Sequence, residues 1–551
     1  MPRFLSSARL SLAAASILTS CAHAQSARAE DHSQQVDEIF AAYNRPGSPG
    51  CSLGVIRNGT FLYRKSYGDA SLELGVPLSP ESVFYVGSIS KQFTATSVVL
   101  AAEQGSLSLD DDVRKYIPEL PDYGHKITLR EMLNQTSGFR DFFSLIYFSG
   151  HDAADFNSPA ELLKLIARQR RLNNLPGDEW VYSNTNYFLL GIVLERATKK
   201  TLAEFAAENV FRPLEMTHTL FYDDASVVVP GRAPAYYPGK NGNFQVGWST
   251  TYRLVGGGGL MTTVDDLLKW DENFYSNRLG KGTLLSELQK PGVLNDGMHD
   301  AYGMGLILGN YRGLPIVEHD GSLFGYRADI LRFPEQKFSV VCLCNVSNAD
   351  PELRSRKVAD VYLKNVLQSD KPGGSPTTKD LPDPVVFAGQ YLDSHTYTIY
   401  SFTAQDGNLL WGSAMRRKNA NQFYNSMGDL ITFEILGGSM KVTFDRNGQV
   451  LFAGKRLDEF HPSEAELRDF IGSYQSPETG GVFQLSLEQG EFVLKIGSNP
   501  PVKLTAIAKD EFNAEGNFIV LLHREAGKVP SLTASTPQAR GIEFDRGQIE
   551  H

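Results

Sequence analysis

Residues 369–384, Ser-Asp-Lys-Pro-Gly-Gly-Ser-Pro-Thr-Thr-Lys-Asp-Leu-Pro-Asp-Pro, divide the chain into two textures that no single core can hold. Proline, glycine and serine at this density sustain neither helix nor strand, so the stretch reads as a linker. Beyond it, Phe387-Ala388-Gly389-Gln390-Tyr391 recurs as Phe470-Ile471-Gly472-Ser473-Tyr474. Each copy opens a run of short alternating strands broken by Asp-Gly, Gly-Gly or Asn-Gly. That pattern predicts two small antiparallel β domains, barrel-like, over 385–461 and 464–551.

Before the linker the period changes. At 551 residues the chain is too long for one ordinary core, and residues 30–368 are large enough to be a domain alone. Cys51–Tyr63 reads as two strands around Asn58-Gly59, the strongest short hairpin signal. Helical patterns follow: one after Ser88, one from Thr128 with Glu131 completing a capping box, one over 158–171, and one over Phe188–Ala197. Leu314–Val346 returns to strands, and a helix over Glu352–Leu367 closes the region. Strands, then helices, then strands predict an α+β domain whose two ends share one antiparallel sheet, flanked by helices and joined to an all-helical part.

Residues 1–24 have the form of a targeting segment: Arg3 and Arg9, a short apolar run Leu10–Leu18, and Ala22-His23-Ala24 before Gln25. A second reading stands beside it. Leu18-Thr19-Ser20-Cys21 resembles a lipoprotein box, in which Cys21 would carry a lipid anchor. Both predict export, periplasmic or secreted. No later run is long enough to span a bilayer. A formal charge of −10 with no dense basic run argues against a nucleic-acid partner. Cys51, Cys342 and Cys344 all sit in apolar runs and read as buried thiols, with a bridge from Cys51 to the later pair as the lesser expectation. There is no Cys-x-x-Cys or His-Glu-x-x-His, so no metal is expected, and no phosphate or dinucleotide fingerprint, so no cofactor.

Ser88-Ile89-Ser90-Lys91 begins the first long helix. Residues three apart share a helix face, so the Lys91 amine can reach the Ser88 hydroxyl. A lysine held in a drying environment can activate a serine without histidine. The bland alternative is a capping serine and a surface lysine. Tyr182-Ser183-Asn184, read as an extended piece, puts a phenol and an amide on one wall. Taken alone, it is better read as a buried tyrosine and a turn asparagine. His319-Asp320-Gly321 lies on a strand, where the glycine would let a substrate backbone approach. A lone histidine there is more often structural.

Together the three fragments resemble the penicillin-recognising serine hydrolases: β-lactamases, D-Ala-D-Ala carboxypeptidases and their relatives. Ile127-Thr-Leu-Arg-Glu-Met-Leu-Asn-Gln-Thr-Ser-Gly138, Gly258-Gly-Leu-Met-Thr-Thr-Val-Asp-Asp266 and Tyr302-Gly-Met-Gly305 are similar to the class C and carboxypeptidase B branch. The resemblance implies that Ser88 forms an acyl-enzyme, that Lys91 helps deprotonate it, and that Tyr182 shuttles the proton with a pKa lowered by the nearby cation. It also implies that Asn184, His319 and Gly321 bind substrate, and that the amides of Ser88 and Ser322 form an oxyanion hole. His319 stands where β-lactamases carry lysine, which disfavours recognition of a substrate carboxylate. The paired β domains are similar to those of bacterial D-aminopeptidases. The function expected is therefore an acyl-transferring hydrolase of short peptides or amides bearing D-amino acids. The alternatives are an esterase, a β-lactamase or carboxypeptidase, or a penicillin-binding sensor that acylates without turnover.

Overall fold

The computed structural model describes residues 32–152, 155, 158–247, 254–368, 381–425, 428–446, 449–515 and 518–547. The leader with Cys21, and residues 369–380 of the linker, lie outside the described residues.

The half before the linker is organised on one antiparallel sheet. Its strands are β1 (Cys51–Arg57), β2 (Thr60–Tyr67), β3 (Ile307–Tyr311), β4 (Leu314–Leu323), β5 (Tyr326–Phe333) and β6 (Phe338–Cys344), in the order β3-β4-β5-β6-β1-β2. Asn58 and Gly59 turn β1 into β2 with φ of 52° and 73°, the left-handed pair that a two-residue hairpin requires. The two ends of the domain meet where β1 lies against β6. There Cys51 faces Cys344 and the two form a disulfide. This corrects the expectation of three thiols: the register sets two of them directly opposite, and only Cys342 is left as a buried thiol. Helix α1 (Ser33–Ile39) and the late helix Pro351–Tyr362 cover one face of the sheet.

On the other face runs α2 (Ser90–Glu103), entered through a 3₁₀ turn at Gly87–Ile89. Residues 90–101 are all buried. In a helix dry on every side an unpaired polar group is costly. Thr96 and Ser97 accordingly donate their hydroxyls to the carbonyls of Gln92 and Phe93, at 2.6 and 2.8 Å. Phe93 packs between Phe211 and Trp270. Around α2 stand α3 (Leu129–Leu133), α4 (Phe142–Ser149), α5 (Pro159–Ala167), α6 (Asn184–Thr198) and α7 (Val264–Ser276), with α8 (Pro351–Tyr362) behind the sheet. Thr128 and Glu131 form the expected capping box.

The two sequence repeats are structural repeats. Tyr391 donates its hydroxyl to the Phe387 carbonyl and Tyr474 to that of Phe470, both at 2.9 Å. Gly389 and Gly472 each lie against an arginine side chain, Arg456 and Arg546. The first unit is a nine-stranded antiparallel sheet with its own core, and the second closes into an eight-stranded barrel. The barrel core is continuous with the catalytic core. Phe148 of α4 packs against Phe483, Phe518 and Phe544 inside the barrel mouth. Arg140 and Glu478, both buried, form an ion pair across the joint at 3.0 Å.

Candidate active site

The 3₁₀ turn, β4, the loop before α6 and the start of α4 enclose a cavity of about 480 Å³. Ser88, Tyr182, Asn184, His319, Asp320 and Ser322 line it, with Trp180, Phe142, Phe143, Phe188 and Leu254 supplying apolar wall. All seven residues singled out in the sequence come together here or directly beneath.

Lys91 is fully buried, which removes the surface-lysine alternative. Its Nζ contacts Ser88 Oγ at 2.9 Å, Asn184 Oδ1 at 2.8 Å and the Gly257 carbonyl at 2.7 Å. The last two are acceptors only, so they take two of the amine's protons. The remaining position points at Ser88. It holds a proton in the ammonium and a lone pair in the neutral amine. Burial lowers the Lys91 pKa from 10.5 to about 7, against the charges of Asp141 and Asp320, which raise it. Near neutral pH much of Lys91 therefore presents a lone pair to the serine O–H.

Asn184 is the first residue of α6 rather than part of an extended piece, because the chain turns helical at once after Ser183. Its orientation is set by Asp141, a residue that sequence reasoning passed over. The Asn184 amide N–H and Nδ2 donate to Asp141 Oδ2 at 2.6 and 2.9 Å, which turns Oδ1 toward Lys91. The other carboxylate oxygen accepts from the Phe143 amide at 2.9 Å and so caps α4. The Asp141 amide in turn donates to the carbonyl of Gln538 at 2.8 Å. Gln538 stands at the tip of the barrel hairpin between β7 (Lys528–Thr536) and β8 (Ala539–Arg546). The same tip receives Asn173 Nδ2 at 2.8 Å, and Arg540 pairs with Glu179 beside Trp180. Among the described residues this hairpin of the second β domain reaches the back of the site. It braces the wall from behind rather than lining the cavity.

Tyr182 departs from expectation. Its phenol is raised well above 10, by burial and then by Tyr302, with the Ser88 hydrogen bond acting the other way. The Lys91 ammonium lies 4.7 Å from the ring centroid, but burial outweighs it. Tyr182 is therefore held as a neutral phenol, hydrogen-bonded to Ser88.

His319 is buried and its tautomer can be read directly. Nδ1 contacts the Asp320 carbonyl at 2.7 Å and must donate to it, so Nε2 accepts from the Tyr302 hydroxyl at 3.0 Å. Burial lowers its pKa from 6.5 to about 4, so it is uncharged at neutral pH. Gly321 is small for a reason other than the one expected. A Cβ there would lie 2.0 Å from the Val86 carbonyl and 3.2 Å from the Ser88 nitrogen. The close approach is made by the chain's own Val86–Ser88 turn. A Cβ at Gly87 would likewise fall 2.5 Å from the Ser322 nitrogen. Two glycines thus let the turn that carries Ser88 lie directly against the strand that carries Ser322.

Fold and class of site together define a serine hydrolase of the β-lactamase type. A model of the beta-lactamase family matches residues 36–363, and the chain belongs to that family. It is similar at 22% identity to the D-aminopeptidase of Brucella melitensis, over 90% of this chain and 96% of that protein. Among solved structures, the octameric penicillin-binding protein homologue from Pyrococcus abyssi aligns with a TM-score of 0.54 at 22% identity, covering 84% of this chain and 96% of that one. A D-stereospecific amidohydrolase from a Streptomyces species aligns with a TM-score of 0.50 at 22% identity, covering 60% of this chain and 98% of its own.

Proposed function

We propose that the chain is a D-stereospecific aminopeptidase or amidase, working through an acyl-enzyme on Ser88 without metal or cofactor. The observation that carries the chemistry is Lys91: buried, with two protons committed elsewhere and its third position 2.9 Å from Ser88 Oγ. Neutral Lys91 takes the serine proton as Oγ bonds to the substrate carbonyl carbon. The oxygen that becomes negative is met by the Ser88 and Ser322 amides. When the C–N bond breaks, the leaving nitrogen needs a proton, and Tyr182 is placed beside Ser88 to pass it on. Water then attacks the acyl-enzyme, with Lys91 again able to take a proton. Asn184 holds the substrate amide, and His319 and Gly321 shape the β4 wall.

The substrate class rests on two supports. The Brucella relative aligned over nearly the whole chain is a D-aminopeptidase, and the Streptomyces neighbour is a D-stereospecific amidohydrolase. Neutral His319 offers no charge to a substrate carboxylate, which weighs against β-lactamase and carboxypeptidase activity. Export to an oxidising compartment, whether as a soluble or a lipid-anchored protein, fits the Cys51–Cys344 disulfide.

The test is parallel turnover of D-Ala-p-nitroanilide, a p-nitrophenyl ester and nitrocefin. Release of p-nitroaniline, faster from the D than the L enantiomer, is expected. Turnover of nitrocefin alone would identify a β-lactamase, and a stable adduct with no turnover a sensor.

A further inference from the structure

A hydrolase that takes residues from an amino terminus has to hold an α-ammonium group. Among the described residues lining the cavity there is no arginine and no lysine, and one carboxylate, Asp320. Lys91 lies beneath the floor and is committed to Ser88, Asn184 and Gly257. The Asp320 side chain is 43% exposed, and His319 Nδ1 stands 4.0 Å from its Oδ1. That nitrogen already donates to the Asp320 carbonyl. Asp320 therefore borders the substrate cavity, one residue from His319 and two from Ser322, with part of its side chain open to solvent.

We infer that Asp320 is the anchor for the substrate's α-ammonium group, and so selects free-amine substrates over N-acylated or anionic ones. This rests on the hydrolase reading above and adds to it a residue that decides which acyl group enters. The surroundings agree in sign. On α8, Glu352 feels the charge of Asp320: burial, then that charge, raise its pKa to about 7, against the charge of Arg356. A cation between strand and helix relieves that repulsion. Lys91, His319, Tyr182 and Tyr302 also feel the charge of Asp320, and of these four Lys91 is the one that titrates near neutral pH. A substrate carboxylate at this position would face Asp320 directly, and like charges in a site of lowered dielectric repel strongly.

The experiment compares wild type, Asp320→Asn and Asp320→Glu on alanine p-nitroanilide in both enantiomers, its N-acetyl derivative and p-nitrophenyl butyrate. Wild type should prefer the free amine over the N-acetyl compound. Asp320→Asn should lose on the order of tenfold to a hundredfold in kcat/KM on the free amine, through KM, while the ester changes only a few-fold. Asp320→Glu, which keeps the charge, should recover part of the loss. The free-amine profile should fall on the alkaline side as the substrate amine loses its proton, near about pH 8, and that limb should be absent for the ester. Equal losses on all three substrates in Asp320→Asn, or no preference for the free amine in wild type, would overturn the assignment. A preference for the L enantiomer would overturn the stereochemical reading and leave the Asp320 comparison intact. No turnover and no labelling by a fluorophosphonate would overturn both.

Discussion

Asn184 hangs from Asp141 by two hydrogen bonds to one carboxylate oxygen, at 2.6 and 2.9 Å, and offers its own oxygen to Lys91 at 2.8 Å. The site is thus built in series. A barrel hairpin holds Asp141, Asp141 orients Asn184, and Asn184 and Gly257 orient the amine that faces the nucleophile.

Asp141→Asn breaks that series at its charged member. Hydrogen bonds to a charged group contribute roughly 1.5–3 kcal/mol each, so kcat should fall by about one to two orders of magnitude. Removing Asp141 also removes a charge that raises the Lys91 pKa. The acid limb of the ester pH profile should therefore move to lower pH. A merely structural residue would lower the rate and leave the limb where it was.

The wild-type limb has a definite sign. Lys91 acts as a base only when deprotonated, and its pKa is about 7. Ester kcat/KM should climb tenfold per pH unit below about 7 and level off above it. His319, already neutral with a pKa of about 4, contributes no step in this range. A profile flat from pH 5 to 8 would remove Lys91 from the role of base.

Gly321→Ala places a methyl group 2.0 Å from the Val86 carbonyl. Strand β4 and the nucleophile turn must then separate, at a cost of about 1–3 kcal/mol. Thermal unfolding should show a modest drop in midpoint. Acylation should suffer far more, because the turn that carries Ser88 no longer lies directly against the strand that carries Ser322.

Glu478→Ala leaves the Arg140 guanidinium buried without its counter-ion, held only by Gln169 and the carbonyls of Arg540 and Gly541. Breaking a buried pair on one side costs about 3–5 kcal/mol. Because the barrel also carries Gln538, the variant should unfold at lower temperature and, while folded, turn over more slowly. Urea titration and ester kinetics on the same preparation check both.

Local chemistry was legible in the sequence where few residues decide it. Asn58-Gly59 needs only its own two positive φ angles, the Thr128–Glu131 box only one helical turn, and Ser88 and Lys91 only the three-residue spacing. The family resemblance then ordered the three site fragments. What escaped depends on residues far apart in the chain. Asp141 is forty-three positions from Asn184 and nearly four hundred from Gln538, and no local pattern marks it. The Cys51–Cys344 pair depends on the register of β1 against β6, which spacing alone cannot give. The state of the Tyr182 phenol depends on burial by residues distant in the chain, which outweighs the cation beside it. Gly321 was read as space for substrate when the chain itself fills it.

The measurement closest to the central claim is the mass of the intact protein after reaction with a fluorophosphonate, for wild type, Ser88→Ala and Lys91→Ala. Wild type should gain one adduct, located by peptide mapping on Ser88. Ser88→Ala should gain none, and Lys91→Ala should react slower by orders of magnitude. An adduct on any other residue, or labelling that survives Ser88→Ala, would contradict the account.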